Sequence, residues 1–428
     1  MPHPFLGIGF TSPLFSKFDR EEPEALLELT TTSDTTFYQM NITSTGNEWY
    51  YKIDWGDWNI EDFDDSTLSP GHGYSSPGVY EIKIYPSQSI DGLTVTDHLF
   101  FGYISGEEYK ITMVDGLGSS YWTSLYTSFQ FHSELTSVSS SLNTSNATVW
   151  YATFFQDTKL TPFPLLDTSS AKNMDYCWYE NTSLTSFPLI DTSNVTTMKY
   201  AWGACDGLTS FPPIDTSSVR NGSTSEAWGT DDGFYATWIN CTELTSFPVI
   251  DRSSATKIDD SWYVCTGLTS FPLIDTSTIN NFKQAWYNCS GLTSFPLINT
   301  TSGNIFLLTW HGCSGLTSFP NLKTVNSTPF SAATSFNGCW QGCTNLADFP
   351  SGLFDGCNSL NFYQAWNDCP SLTADSIENI LMDINGANTS NGLLGLGGTT
   401  PGESTWTPVA QFAKGELVSR GWTIDSNS

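Results

Sequence analysis

Five aspartates recur at one register of the chain: Asp167, Asp191, Asp215, Asp251 and Asp275, four of them followed by Thr-Ser. Aligned carboxylates are the raw material of general acid–base chemistry and of hard-cation binding. A strict period points elsewhere. Asp ahead of Thr and Ser is turn-capping composition, in which the carboxylate accepts from a backbone amide two residues on. A row of like charges is costly unless solvated or bridged by cations, so weak Ca2+ association is the most that is expected here, and no cofactor otherwise. The acidic stretch Glu61–Asp65 is a second place where oxygen ligands could gather, with a solvated loop as the plainer expectation.

Ten cysteines are the second chemical signal, and seven keep one register: Cys205, Cys241, Cys265, Cys289, Cys313, Cys343 and Cys369. Equivalent positions in stacked coils sit ~4.7–4.9 Å apart with parallel Cβ vectors, whereas a disulfide needs Cβ atoms ~3.5–4.5 Å apart and turned toward each other. A ladder of buried free thiols is therefore expected. Cys177, Cys339 and Cys357 lie outside the register. Cys339 and Cys343 lack the second pair that a zinc site requires. No P-loop, nucleophile elbow, HExxH or dinucleotide fingerprint occurs, so no catalytic residue is assigned and no enzyme is expected. The candidate binding residues are Trp228, Asp231, Asp232 and Tyr235. They belong to an insertion at about 222–234 where a loop should leave the scaffold, and aromatic-plus-acid clusters suit sugar contacts.

The scaffold is a repeat. Leu-Thr-Ser-Phe-Pro and its close variants begin at Leu160, Leu184, Leu208, Leu244, Leu268, Leu292 and Leu316, with looser copies at Leu346 and Leu372. Most steps are about 24 residues; the longer ones hold insertions, as in a solenoid that throws loops out of single coils. Trp stands six residues before each leucine, from Trp178 to Trp366, with a large apolar residue four before it and, from Trp202 onward, Cys three after it. Apolar–Trp–Cys at i, i+4, i+7 predicts one face of a short helical turn, followed by a short extended segment. One coil buries too little to fold alone; stacked coils bury a continuous column.

The unit NVTTMKYAWGACDGLTSFPPIDTSS (Asn194 to Ser218) resembles the BspA-like leucine-rich repeats, with Trp202 where that family has Phe. The resemblance spans about residues 130–372 and implies a leucine-rich-repeat solenoid with a surface or recognition role. Residues 1–115 do not repeat. Their alternating runs, such as EWYYKIDW and VYEIKIY, read as a β-sandwich. Trp55, Gly56, Asp57, then His72, Tyr74, Gly78, Tyr80 and Ile82 resemble the PKD domain, with Trp58 where that family has Gly. The resemblance implies an immunoglobulin-like spacer or adhesion module in which His72 packs and bonds near Asp57. The expected organisation is β-rich and multidomain: a PKD-like sandwich over 1–115, a leucine-rich-repeat-like solenoid over 116–372 and a small helical cap over 373–428. The cap has one helix beginning after Thr373 and ending at Gly386, a Gly/Thr/Ser-rich loop, and a second helix from Val409. This tail resembles those ending such repeat proteins in phage genomes.

Composition limits the partners. The chain of 428 residues carries 44 acidic and 15 basic side chains, a formal net charge of −29. Such a surface repels phosphate backbones and anionic lipid, so neither nucleic acid nor membrane insertion is expected. The start of the sequence lacks the basic flank and apolar core of a secretory signal. The expectation is a non-enzymatic structural or recognition protein of a phage virion, either capsid decoration or a tail-fibre, host-binding component. Its partners would be other virion proteins or a host glycan or receptor, and its location the virion surface. The alternative is a bacterial cell-surface adhesin.

Overall fold

A computed structural model describes residues 25–31, 37–39, 41–44, 50–64, 70–86, 97–100, 111–117, 122–220, 233–251 and 254–427. The N-terminal part is built from strands β1 (Ala25–Thr31), β2 (Phe37–Gln39), β3 (Asn41–Ser44), β4 (Tyr50–Asp54), β5 (Ile60–Asp64), β6 (Gly71–Gly73), β7 (Gly78–Pro86), β8 (Asp97–Phe100), β9 (Ile111–Leu117) and β10 (Trp122–Ser124). Alternation sorts the strand residues: Ile53 and Ile82 are buried while Lys52 and Lys83 are not. The main sheet has the order β11-β9-β1-β7-β4-β5, where β11 (Ser137–Val138) already belongs to the first coil. Strand β9 runs through the expected boundary at residue 115 and pairs in parallel with β11, Met113 opposite Ser137. The sheet therefore continues into the coils, because β9 offers its second edge to them.

From residue 125 onward the backbone winds in coils, each bonded to the next. In the coil of Trp202, the amides of Met198, Tyr200, Trp202 and Ala204 donate to the carbonyls of Gly233, Tyr235, Thr237 and Ile239, at 2.6–3.0 Å. The amides between them, of Ala201, Gly203 and Cys205, close turns onto residues three positions back. The helical turn expected from the apolar–Trp–Cys spacing is thus a run of overlapping turns. An α-helix would need every amide for its own i−4 carbonyl, and here alternate amides are taken by the neighbouring coil. Tyr200 and Ala204 are left-handed, each at φ 54°, a strained state for residues with a Cβ that the inter-coil bonds hold in place. The extended segment is also reduced. It pairs at single residues, as in the parallel bridge from Ser318 to Asp348, while the bridges from Lys257 to Asn281 to Ile305 to Ser335 lie ahead of the turns.

The core is a stack of rings. Trp178, Trp202, Trp238, Trp262, Trp286, Trp310, Trp340 and Trp366 are fully buried and lie nearly parallel, 5.0–5.9 Å between successive centroids. A second column of Phe meets them edge-on, Phe295 lying 4.8 Å from Trp286 at 76°. Edge-to-face contacts of this kind add about 0.5–1.5 kcal/mol beyond area burial. Each coil also buries side chains such as Met198, Leu208 and Ile214, worth roughly 1.5–3 kcal/mol apiece only once neighbours cover them.

The C-terminal end departs from the helical cap expected. Helix α1 (Ala374–Gly386) starts where its N-cap Thr373 accepts from the Ser376 amide, and buries Ile377, Ile380, Leu381 and Ile384. Helix α2 (Pro408–Ser419) is capped by Thr407 with Pro at its first turn. A parallel sheet joins them: β12 (Asn361–Phe362) from the last coil, β13 (Leu393–Leu396) and β14 (Thr423–Ser426). Strand β13 sits in the segment expected to be loop. Gly395 explains why: a Cβ there would lie 2.3 Å from the Gln364 amide nitrogen, and its carbonyl accepts from the Trp366 amide. Glycine lets the tail press onto the open end of the stack and satisfy its free amides.

Candidate functional site: the rows along the stack

Stacking turns each repeated residue into a row, and the rows decide what chemistry is open. The aspartates sit in tight turns. Asp167, Asp191, Asp215 and Asp275 each accept from the amide of the Ser two residues on, at 2.9–3.0 Å. The threonine between them reaches the adjoining coil, Thr168 Oγ1 to the Asp191 carbonyl at 2.6 Å and Thr192 Oγ1 to the Asp215 carbonyl at 2.5 Å. The Ser193 and Ser277 hydrogen bonds hold the Asp191 and Asp275 carboxyls below the usual range. These groups stay ionised and anchor turns.

All ten cysteines are free and buried. Each of the seven in register donates through Sγ to the carbonyl of the Trp one coil back, 3.0–3.1 Å away. Burial pushes the Cys265 and Cys313 thiols up to about 12. A thiol so far from ionising is a poor nucleophile and a poor metal ligand.

Reading the cysteine column back by 24 residues leads to Asn181 and then Asp157, both fully buried. Beside Asp157 lies His132, likewise fully buried, whose amide donates to Asp157 Oδ1 at 2.8 Å. Burial lowers the His132 pKa to about 4, so its ring is neutral at pH 7, and raises the Asp157 carboxyl well above its ordinary range. The motif search missed this polar file because the residue types change. The repeat register was the signal that could have found it.

Of the four candidate binding residues, Trp228, Asp231 and Asp232 lie outside the described residues. Tyr235 is half-buried on the side of the stack, within a row of tyrosines. Tyr126 and Tyr151 stack at 4.9 Å and 9°, Tyr176 and Tyr200 at 4.8 Å and 15°, and Tyr235 meets Tyr200 edge-on at 5.3 Å. The left-handed turns at Tyr176 and Tyr200 aim these side chains off the core. Burial is the first cause that raises the Tyr176, Tyr200 and Tyr235 pKa values; neighbouring phenols and carboxylates add to it at Tyr176 and Tyr235, whereas at Tyr200 the Tyr235 hydroxyl works against it. In the stacked pairs each ring covers a face of its neighbour. The row therefore shows solvent mainly ring edges and hydroxyls, which suit an interface with a polar partner surface better than face-on sugar stacking.

In the N-terminal sheet, His72 Nε2 donates to Asp57 Oδ2 at 2.8 Å while Nδ1 accepts from the Asn59 amide group, and the ring stacks on Trp55. Both ring nitrogens are occupied in one tautomer. Glu61, Asp62 and Asp64 belong to strand β5 and not to a loop, so Glu61 and Asp62 alternate in direction; Asp65 lies outside the described residues. Trp58 is left-handed at φ 74° and wholly exposed. Among the described residues no group of three or more His, Cys, Asp or Glu is placed to hold a metal ion, and no helix is long and apolar enough to cross a membrane. No family model matches the chain, and no curated protein matches it.

Proposed function

We propose that the chain is a non-enzymatic recognition and structural protein of a phage virion, docking to a protein partner through the side of its stacked coils. The observation that carries this is the tyrosine row from Tyr126 to Tyr235: half-exposed rings held in register by inter-coil bonds. Rigid tyrosines lose little conformational entropy on contact and offer apolar area with a hydroxyl at the rim. The aspartate and cysteine rows support the same reading, since their hydrogen bonds go into holding coils together. The strong negative charge keeps such a component soluble and away from packaged nucleic acid. Mass spectrometry and antibody labelling of purified particles from a phage carrying the gene should find the chain on the outer surface. Its absence from intact particles would sink the proposal.

A further inference from the structure

A second surface runs along the stack, independent of the tyrosines. Five residues after each leading leucine from Leu160 to Leu292 stands an apolar residue with its side chain in solvent: Leu165, Leu189, Pro213, Val249, Leu273 and Leu297. The aliphatic ones are 39–64% exposed. In the same coils the exposed positions just after the leucine are Thr and Ser, as in Thr185 and Ser186. The chain therefore keeps its hydroxyl side chains elsewhere and spends aliphatic ones on this line. Tight turns fix the line's shape. The amides of Ile190, Ile214 and Ile298 fold back to the carbonyls of Pro188, Pro212 and Pro296 at 2.9–3.0 Å, which leaves Leu189, Pro213 and Leu297 at the apices. The result is an exposed apolar ridge at a corner of the stack.

The acidic row flanks this ridge two residues on and accompanies all but its last member, Leu297, which is followed by Asn299. In the coil before Leu160 the matching positions hold Ser141 and a half-buried Asn143; after Leu297 and Asn299 they hold Asn321 and Lys323. Between those limits five consecutive coils pair an exposed apolar residue with an exposed Asp, from Leu165 and Asp167 to Leu273 and Asp275. The turns do not require the charge, because Asn299 accepts from the Thr301 amide just as the aspartates do from serine. Nor does the fold require the aliphatic side chain, since Asn321 and Ser351 fill that place in later coils. Contiguous exposed apolar surface marks an interaction site, and the matched acidic row states the charge of what covers it.

We infer that this ridge docks a basic amphipathic α-helix of a partner protein, with one apolar side chain per turn on the aliphatic row and lysine or arginine on the aspartates. Spacing favours a helix. In the coils of the ridge, successive Phe rings two residues ahead of it lie 5.3–6.0 Å apart, while a helix turn advances ~5.4 Å and same-face strand residues lie ~6.6–6.8 Å apart. Across the four coil steps a helix drifts by about 2 Å and a strand by about 3–4 Å. A footprint of about 23 Å corresponds to roughly 15 helical residues. A second copy of this chain is disfavoured by its net charge of −29 and by the aspartate row meeting its own image.

The test uses the full chain and a synthetic helical peptide of four turns, bearing one leucine per turn flanked by lysines, with fluorescence anisotropy at physiological salt. Saturable one-to-one binding is expected. Replacing Leu189, Val249 and Leu273 together by Ser should weaken it at least tenfold. The triple Asp191→Asn, Asp215→Asn, Asp251→Asn should weaken it several-fold and flatten its salt dependence. Both triples should melt like the parent, because the altered side chains are exposed and Asn or Ser already serves in other coils. Three results would each overturn the inference: no saturable binding, equal binding of a peptide with its leucines replaced by alanine, or affinity unchanged in both triples. Self-association abolished by the serine triple, without peptide binding, would assign the ridge to a second copy instead.

Discussion

The Sγ of Cys289 donates a hydrogen bond to the main-chain carbonyl of Trp262, 3.0 Å away in the preceding coil. The same bond links Cys265 to Trp238 and Cys313 to Trp286. Each thiol thus fills a small apolar gap and satisfies a carbonyl at once.

Native thiols should accordingly resist chemistry. With Cys265 and Cys313 pushed up to about 12, the reactive thiolate is scarce at pH 8 and the side chain is inaccessible as well. Ellman's reagent should label almost none of the ten cysteines before unfolding and all ten in denaturant. Intact mass without reductant should show no disulfide; a bond between Cys265 and Cys289 would overturn the ladder.

Trp286→Ala should destabilise the stack by about 3–5 kcal/mol, the usual cost of emptying a buried aromatic site. Trp286 touches Trp262 and Trp310 on its two faces and Phe295 edge-on. Among the described residues its indole nitrogen has no hydrogen-bond acceptor, so Trp286→Phe loses packing but no such bond and should cost markedly less. Chemical denaturation with limited proteolysis checks both, and early cleavage should fall within residues 260–320. Because β9 pairs with β11, strand β9 and the first coil should resist cleavage together.

The sequence made the rows legible because a 24-residue register repeats the same side chain in the same environment. Trp202, Cys205, Leu208 and Asp215 could be placed from spacing alone. The local backbone could not. The spacing of Met198, Trp202 and Cys205 fits a helix face and also fits the overlapping turns that form, and the choice depends on the neighbouring coil taking alternate amides. Strand β13 was hidden for a similar reason: Leu393–Leu396 looks like loop until the last coil gives it a partner. By sequence Tyr235 reads as part of an exposed insertion, but its place in a row with Tyr200 and Tyr176 depends on which way the left-handed turns aim those rings.

Acidity should expose the polar file at the start of the stack. The His132 pKa falls in the fold from 6.5 to about 4, so the neutral ring is favoured. Its contribution is complete above pH ~6.5 and is lost as pH falls toward 4, by about 3 kcal/mol. Asp157 runs the other way: its raised folded value means stability present at low pH and lost as pH rises. His132→Gln should therefore flatten the loss of melting temperature between pH 7 and pH 4. Asp157→Asn should stabilise the protein at pH 7 more than at pH 4. Parallel pH profiles for the parent and both variants would contradict the burial-shifted pKa values of both groups.

Recognition by the side of the stack is tested most directly by replacing Tyr200 and Tyr235 together with Ala and measuring attachment to stripped phage particles by co-sedimentation. Both rings are half-exposed and neither belongs to the tryptophan column, so circular dichroism and the melting curve should stay close to the parent's. The account predicts that attachment falls at least tenfold while the fold is kept. Attachment equal to the parent's, with the fold equally intact, would contradict it.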